Sequence, residues 1–176
     1  MKNVAITGFM GTGKTSMGKM LAGRLGYAFV DLDKAIEKEA RKSIPQIFKD
    51  DGEDYFRQLE KDTLKKCLQR RHLVLSTGGG TVKDPDNTAL IHETCMIICL
   101  TASPTTILRR TAKHGERPVL DGKDHGDRLK AIEELIKSRE GIYSDADYTI
   151  DTSELSPMQV MNDAANFLKR RGIPHA

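Results

Sequence analysis

Short apolar stretches alternate with longer segments of helical periodicity along the whole chain. Five short runs rich in β-branched and other apolar residues predict strands at 3–7, 28–31, 73–76, 96–100 and 148–151. Apolar residues at helical spacing predict helices over about 14–25, 34–41, 52–70, 85–92, 104–112, 127–142 and from 157 onward, with a further short helix after Ser43. Strands that alternate with helices favour an α/β fold, in which helices cover both faces of a parallel sheet.

Capping signals mark several of the predicted helix ends. Gly26 follows the first helix, at a position where glycine commonly ends a helix. Ser43, with Gln46 three residues later, predicts a capping box. Ser156 and Pro157 predict the cap and the first residue of the last helix.

Length and charge predict one domain that does not bind nucleic acid. The chain has 176 residues, of which 38% are hydrophobic and 30% are charged, enough for one buried core. Lys+Arg 28 against Asp+Glu 25 leaves a net charge of +3, which is too small to argue for nucleic acid.

Other features of the sequence predict a cytoplasmic protein. No apolar run approaches the roughly 20 residues of a membrane span, and Met1-Lys2 leads directly into the first predicted strand, which predicts no signal peptide. Cys67, Cys95 and Cys99 cannot all pair, and their spacing does not suggest a zinc site. We expect Cys95 and Cys99, which lie in or beside a predicted strand, to be buried thiols.

The most specific motif follows the first strand. Residues 8–15 read G-x-x-x-x-G-K-T between a predicted strand and a predicted helix, the context in which this pattern forms a phosphate-binding loop. Backbone N–H groups and the helix N-terminus of such a loop attract phosphate. Lys14 is expected to reach the β- and γ-phosphates, and the Thr15 hydroxyl to bind Mg²⁺. The predicted ATP-binding residues of this loop are Gly11, Thr12, Gly13, Lys14, Thr15 and Ser16.

Polar residues elsewhere suggest a second ligand. Residues 31–33 place two aspartates at the carboxyl end of the second strand, where α/β proteins bind ligands. Arg57 and Glu60 share a helix face, either as part of a site or as a surface ion pair worth ~0.3–0.5 kcal/mol. The glycines of 77–81 indicate close backbone approach or a flexible loop. The polar segment 113–126 has the length of a functional lid.

Taken together, these motifs resemble the shikimate kinases, and the resemblance covers nearly the whole chain. It is carried by 8–15, by D-x-D at 31–33, F-R-x-x-E at 56–60, G-G-G at 78–80, R-P at 117–118 and R-x-x-x-Y at 139–143. The phosphate loop alone specifies only nucleotide binding, whereas this combination in this order is much more specific. The resemblance implies one three-layer α/β/α P-loop kinase domain over 1–176. Its five-stranded sheet would have the order 2-3-1-4-5, with a substrate-binding region at about 32–60 and a lid at about 112–126.

The resemblance implies transfer of the γ-phosphate of ATP to the 3-hydroxyl of shikimate, by a commonly monomeric enzyme of the pathway to chorismate. Shikimate is a carboxylate with three hydroxyls, and a carboxylate fits a bidentate guanidinium. Arg57 and Arg139 are the candidates for that clamp. Asp33 and the backbone of Gly78, Gly79 and Gly80 would bind the hydroxyls.

Phosphoryl transfer depends on positioning and charge neutralisation, and the residues fit that requirement. The predicted catalytic residues are Asp33, Lys14 and Arg117. Asp33 would act as a base or only orient the attacked hydroxyl. Thr15 would bind one Mg²⁺ ion directly, and Asp31 directly or through water. Arg117 would move over the transferring phosphate, unless it is a solvated loop arginine.

Two points stay open. By resemblance Arg110 lies near the adenine, but as a cation near a helix C-terminus it would equally interact with the helix dipole.

The alternative functions are a gluconate kinase, a nucleoside monophosphate kinase or a nucleotide-dependent regulatory module. The absence of tryptophan and the 5% of aromatic residues favour a polyol acid over a nucleotide acceptor. A binding module would not need Asp33 or Arg117.

Overall fold

The strand order of the sheet agrees with the prediction. In the part of the chain that the computed structural model describes, residues 2–112 and 125–173, five parallel strands form one sheet in the order β2-β3-β1-β4-β5. The strands are β1 (Asn3–Gly8), β2 (Ala28–Asp31), β3 (Leu73–Ser76), β4 (Cys95–Thr101) and β5 (Tyr148–Asp151). Apolar residues of β1 are buried on both faces of the sheet, because Val4 and Ile6 pack in one core cluster and Ala5 in another.

Helices cover both faces and complete the predicted three-layer arrangement. They are α1 (Lys14–Leu25), α2 (Leu32–Ala40), α3 (Ile44–Asp50), α4 (Gly52–Leu68), α5 (Pro85–Thr94), α6 (Pro104–Ala112), α7 (His125–Tyr143) and α8 (Pro157–Arg170). Leu21 of α1 and Ala164 of α8 are buried in the cluster on one face. Leu64 of α4 and Ile91 of α5 are buried in the cluster on the other. Phe9, α6 and α7 contribute to a third cluster.

The register brings three connecting segments to one edge of the sheet. Ser76 pairs with Ile6 on one side and with Asp31 on the other, so β1, β2 and β3 end nearly level. The loop 9–13 follows β1, α2 follows β2 and a glycine turn follows β3. The connection from β1 to β2 runs to one side of β1, and the connection from β3 crosses to β4 on the other side; ligands of α/β proteins bind outside the strand ends at such a point.

Most boundaries follow the sequence signals, but the start of α2 does not. α1 ends at Gly26 in the left-handed conformation, with φ 67°. α2 begins at Leu32 instead of the predicted residue 34, because Asp31 caps the helix by accepting from the Lys34 N–H at 3.2 Å. Asp33 therefore lies in the first turn of a helix. α7 also begins earlier than the predicted 127 or 128, and residues 113–124 of the predicted lid lie outside the described residues.

The predicted capping box at α3 is wrong in one of its two hydrogen bonds. Ser43 accepts from the Gln46 N–H at 3.3 Å, as predicted. The Gln46 side chain instead donates to the carboxylate of Asp50 at 2.9 Å, a charged acceptor one turn further on. A complete capping box is present in α8, where Gln159 donates to Ser156 through its backbone and accepts from the Ser156 N–H through its side chain.

The three cysteines are free and buried, including Cys95 and Cys99 as predicted. Burial raises the pKa of the Cys95 thiol to about 11. Within the described residues, no helix combines the length and the apolar character needed to cross a membrane.

Candidate active site

The phosphate loop is shaped by close packing against β4 and by its own side chains. A Cβ on Gly8, where φ is +132°, would lie 2.2 Å from the Leu100 carbonyl oxygen, so only glycine fits. The Thr12 hydroxyl donates to the Phe9 carbonyl at 2.8 Å. Lys14 Nζ donates to the carbonyls of Gly8 and Phe9 at 2.9 Å each. The ammonium of Lys14 is thus held over the loop that leads into α1.

A cavity of about 490 Å³ extends from this loop to the ends of β2 and β3. It brings together residues predicted for nucleotide, metal and substrate. Its lining includes Gly11, Gly13, Lys14, Thr15, Ser16, Asp31, Asp33, Ser76, Thr77, Gly79 and Arg110. Residues that are far apart in the sequence are therefore neighbours at one edge of the sheet.

Thr15 and Asp31 lie in contact on the metal side of this cavity. The Thr15 hydroxyl donates to Asp31 Oδ2 at 2.7 Å, while Asp31 Oδ1 caps α2. One hydroxyl and one carboxylate oxygen beside a phosphate loop are the hard oxygen ligands that Mg²⁺ takes together with substrate phosphates. The residues present therefore fit the predicted ion.

Asp33 lines the same cavity as Asp31. Burial, followed by the neighbouring carboxylate of Asp31, raises the pKa of Asp33 to about 6, although the ammonium of Lys14 acts in the opposite direction. A carboxylate with a pKa near neutrality can exchange a proton with a hydroxyl, and when ionised it can accept a hydrogen bond from one.

Each glycine of the turn after β3 faces a different predicted substrate residue. A Cβ on Gly78 would lie 2.7 Å from Asp33 Oδ1, one on Gly79 would lie 3.4 Å from Arg139 Nη1, and one on Gly80 would lie 3.2 Å from Arg57 Nη2. None of the three has a φ in the left-handed range. The predicted close approach, and not a flexible loop, therefore accounts for Gly78 and, less tightly, for Gly80, whereas the contact at Gly79 is an ordinary one.

Arg57 is oriented by a buried carboxylate. Its Nη1 donates to Glu60 Oε1 at 2.8 Å, and Glu60 Oε2 accepts from the Thr81 hydroxyl at 2.8 Å. Glu60 is 2% exposed and Thr81 is 0% exposed. Thr81 follows the glycine turn directly, so α4 and the turn are joined through the Glu60 side chain. The guanidinium also lies over the ring of Phe56, with Cζ 5.1 Å from its centre.

Arg139 reaches the same turn from α7. Its Nη1 donates to the Gly79 carbonyl at 3.1 Å, and its Cζ lies 5.3 Å from the ring centre of Phe9 in the phosphate loop. Arg139 therefore lies between the loop after β1 and the turn after β3.

Arg110 connects the phosphate loop to the loop after β5. Its guanidinium donates to the Gly11 carbonyl at 3.2 Å, and to the hydroxyl and carbonyl of Thr152 at 2.9 and 2.7 Å. The side chain also lines a second cavity, of about 200 Å³, which includes Thr12, Leu155 and Pro157. Arg110 lies in the last turn of α6, as the helix-dipole alternative requires, and among the described residues its guanidinium is bound by these two loops.

Sequence reasoning missed two hydroxyl-bearing residues that hold this arrangement together. Thr81 orients Glu60, and the Thr152 hydroxyl accepts from Arg110 and shares its one proton between the carbonyls of Thr12 and Thr101, at 3.2 and 3.0 Å. Neither has a sequence signal of its own, because threonine is common in strands and turns. Arg117, predicted to act in the lid, lies outside the described residues.

This fold and this site define a P-loop kinase that acts on a small molecule. The family model for shikimate kinase matches residues 10–169. The chain belongs to the shikimate kinase family.

Individual relatives agree with this assignment. The chain is 43% identical to a shikimate kinase of Pelotomaculum thermopropionicum over 96% of both chains. A crystal structure of shikimate kinase from Bacteroides thetaiotaomicron has a TM-score of 0.90 at 30% identity, over 96% of this chain and 98% of that one. The shikimate kinase of Acinetobacter baumannii in complex with shikimate also has a TM-score of 0.90 at 30% identity, over 97% of this chain and 94% of that one.

The alternative of a gluconate kinase has weaker support. A gluconokinase from Sinorhizobium meliloti has a TM-score of 0.66 at 15% identity, over 96% of this chain and 92% of that one. This likeness shows a shared fold alone.

Proposed function

We propose that the protein transfers the γ-phosphate of ATP to the 3-hydroxyl of shikimate, giving shikimate 3-phosphate and ADP in the pathway to chorismate and the aromatic amino acids. The observation that carries this proposal is the glycine turn beside the phosphate loop. Its three glycines face one aspartate and two arginines, a set that matches a hydroxyl and a carboxylate on one small molecule. Membership of the shikimate kinase family supports the same substrate.

On the nucleotide side, Lys14 binds the β- and γ-phosphates by exchanging its carbonyl partners, Gly8 and Phe9, for phosphate oxygens. Gly11, Thr12, Gly13 and Ser16 supply the remaining contacts of the loop. Thr15 and Asp31 would hold Mg²⁺, which would neutralise charge on the β- and γ-phosphates when bound. Arg110 lies beside the nucleotide base, supported by its place between the phosphate loop and Thr152. Arg117 completes the site over the transferring phosphate.

On the acid side, Arg57 and Arg139 bind the carboxylate of shikimate, and the backbone of Gly78, Gly79 and Gly80 lies against its ring. Asp33 accepts a hydrogen bond from the 3-hydroxyl and aims its oxygen at the γ-phosphate. The carboxylate is ionised over much of the neutral range, since its pKa is about 6. Glu60 has no contact with substrate in this scheme and orients Arg57.

The enzyme is proposed to be a monomer of the cytoplasm. Its three buried, unpaired thiols are typical of a reducing compartment. The lid, about residues 112–126, and the substrate-binding region, about 32–60, are proposed as parts of one domain. Size-exclusion chromatography tests the oligomeric state.

A coupled assay of ADP release tests the proposed reaction. We expect ADP formation with shikimate and Mg²⁺, and none above background with gluconate or nucleoside monophosphates. Activity with one of the other acceptors alone, or no acceptor-dependent ADP, contradicts the proposal.

Single substitutions test the nucleotide-binding residues and the acid-binding residues separately. Asp33→Asn is expected to abolish turnover and keep ATP binding, whereas Lys14→Ala loses ATP affinity. Arg57→Ala and Arg139→Ala are expected to raise the KM for shikimate and to leave ATP affinity near normal. An unchanged KM for shikimate in both arginine variants would exclude the carboxylate clamp.

A further inference from the structure

Two side chains of α7 share one acceptor in the glycine turn. Arg139 and Tyr143 are one helical turn apart and lie on the same face. Tyr143 donates to the Gly79 carbonyl at 2.8 Å, and Arg139 Nη1 donates to the same oxygen at 3.1 Å. A carbonyl oxygen has two lone pairs and can accept both bonds. Tyr143 belongs to the R-x-x-x-Y motif, but none of the roles assigned above uses it.

Arg139 has more donors than the protein satisfies. Its Nε is buried and has no hydrogen-bond partner among the described residues. A carboxylate bound through two parallel hydrogen bonds takes two donors of the guanidinium and competes with Gly79 for the orientation of that group. Where this competition weakens the Nη1 bond to Gly79, Tyr143 keeps the carbonyl paired.

The Tyr143 side chain is placed to act as a second donor to the Gly79 carbonyl. Burial raises the pKa of its hydroxyl, so the hydroxyl keeps its proton across the neutral range. Its ring lines a mostly apolar cavity of about 430 Å³, together with Phe9, Ile107 and Ile136. Because space adjoins the ring there, the bond to Gly79 contributes directly to holding the side chain in one rotamer.

We propose that Tyr143 is a positioning residue for the carboxylate site: it holds the Gly79 carbonyl, and with it the glycine turn, while Arg139 gives its donors to the acid substrate. The proposal rests on the proposed function, because it requires a carboxylate at Arg139. It assigns Tyr143 no contact with substrate. The residue acts through Arg139 and Gly79 on the affinity for the acid, and not on the nucleotide side.

The test removes one hydroxyl and keeps the ring. Tyr143→Phe is compared with Tyr148→Phe, since Tyr148 donates to Asp163 at 3.0 Å near α8 and stacks on Phe167, away from the candidate site. For Tyr143→Phe we expect a roughly five- to tenfold rise in the KM and Kd for shikimate, the range of one lost hydrogen bond. The KM for ATP and kcat change less than about twofold. Tyr148→Phe leaves all these constants near those of the wild type.

A double-mutant cycle separates positioning from a general structural role. In an Arg139→Ala background, Tyr143 is the side-chain donor that remains on the Gly79 carbonyl among the described residues, so Tyr143→Phe is expected to lower shikimate affinity at least as much as in the wild type and to leave the KM for ATP unchanged. No further loss of shikimate affinity in that background overturns the proposal, and so does a wild-type KM for shikimate in Tyr143→Phe. If the wild-type protein itself releases no ADP with shikimate, the proposed function fails instead.

Discussion

Arg57 donates a 2.8 Å hydrogen bond to Glu60, and the accepting carboxylate is 2% exposed. The sequence allowed either a surface ion pair or a site residue and its support. The surface interpretation is wrong, because the pair has one member inside the protein and the Thr81 hydroxyl binds its other oxygen. An arginine held in this way loses less side-chain entropy when it binds a carboxylate.

Glu60→Gln is expected to raise the KM for shikimate about tenfold, because the amide keeps the shape of the side chain but weakens the bond that orients Arg57. It is also expected to lower the free energy of unfolding by about 1.5–3 kcal/mol, the range for a hydrogen bond to a charged group. Enzyme kinetics and chemical denaturation measure the two effects.

Glu53→Gln is the matched control, since Glu53 pairs with Nε of the same arginine at 3.5 Å but its side chain is 65% exposed. We expect a change below about 0.5 kcal/mol and a nearly normal KM. Equal effects of the two substitutions would show that burial of Glu60 has no part in the function of Arg57.

The sequence predicted the bounds of helices and strands correctly where the local residue pattern and the packing of the whole fold favour the same structure. The bounds of α1, β2 and β3 were predicted to the residue, because glycines and polar residues flank clear apolar patterns. The start of α2 was missed because Asp31 is both a strand end and a helix cap. The capping box at Ser43 failed because Asp50 competes for the Gln46 amide, which a pattern of two residues does not include.

Gly78→Ala is expected to reduce kcat/KM for shikimate by about 100-fold or more, because its Cβ would displace Asp33, which is only 2.7 Å away. Gly23→Ala is the control: it lies within α1 and its Cβ would meet nothing within 4 Å. That variant is expected to keep full activity and to gain about 0.5–1 kcal/mol in stability. Similar losses of activity in both variants would contradict the close-approach argument.

Asp33→Asn is expected to stabilise the nucleotide-free protein at pH 8 and not at pH 4. Asp33 has a pKa of about 6 in the folded state, compared with an ordinary value of 3.8, so ionisation is more costly in the folded state. Native Asp33 therefore destabilises the fold progressively as pH rises from about 4 to about 6, and the destabilisation is constant at higher pH. Asparagine does not ionise and therefore removes this destabilisation, which amounts to about 2–3 kcal/mol at pH 8.

Thermal and denaturant unfolding at the two pH values measure this difference. Asp86→Asn is the control of opposite sign, because a hydrogen bond from Lys61 lowers the pKa of Asp86. It is not expected to stabilise the protein at pH 8. If Asp33→Asn has the same effect on stability at pH 4 and pH 8, the raised pKa is not the cause.

The candidate site was predictable as a set of residues but not as an arrangement. The phosphate loop is one continuous segment, so its phosphate-binding chemistry can be predicted from the spacing of its residues alone. The relation of Gly78, Gly79 and Gly80 to three different side chains depends on how β2, β3, α4 and α7 meet in space. Thr152 has no local motif at all, and only the distance between its hydroxyl and two other segments reveals its position.

Thr152→Val is expected to raise the KM for ATP roughly tenfold and to leave the KM for shikimate unchanged. The hydroxyl connects Thr12 in the phosphate loop, Thr101 at the end of β4 and the guanidinium of Arg110. Valine keeps the volume but removes the hydrogen bond to Arg110 Nη1 and the contact with the Thr12 carbonyl, whereas the Thr101 carbonyl keeps the Thr152 N–H at 2.8 Å. The loss amounts to about 1–3 kcal/mol. Thr152→Ser keeps the hydroxyl and is expected to restore a nearly normal KM for ATP. A rise in the KM for shikimate of the same size, or a serine variant as impaired as the valine variant, would show that the effect is general misfolding and not loss of the link to the nucleotide side.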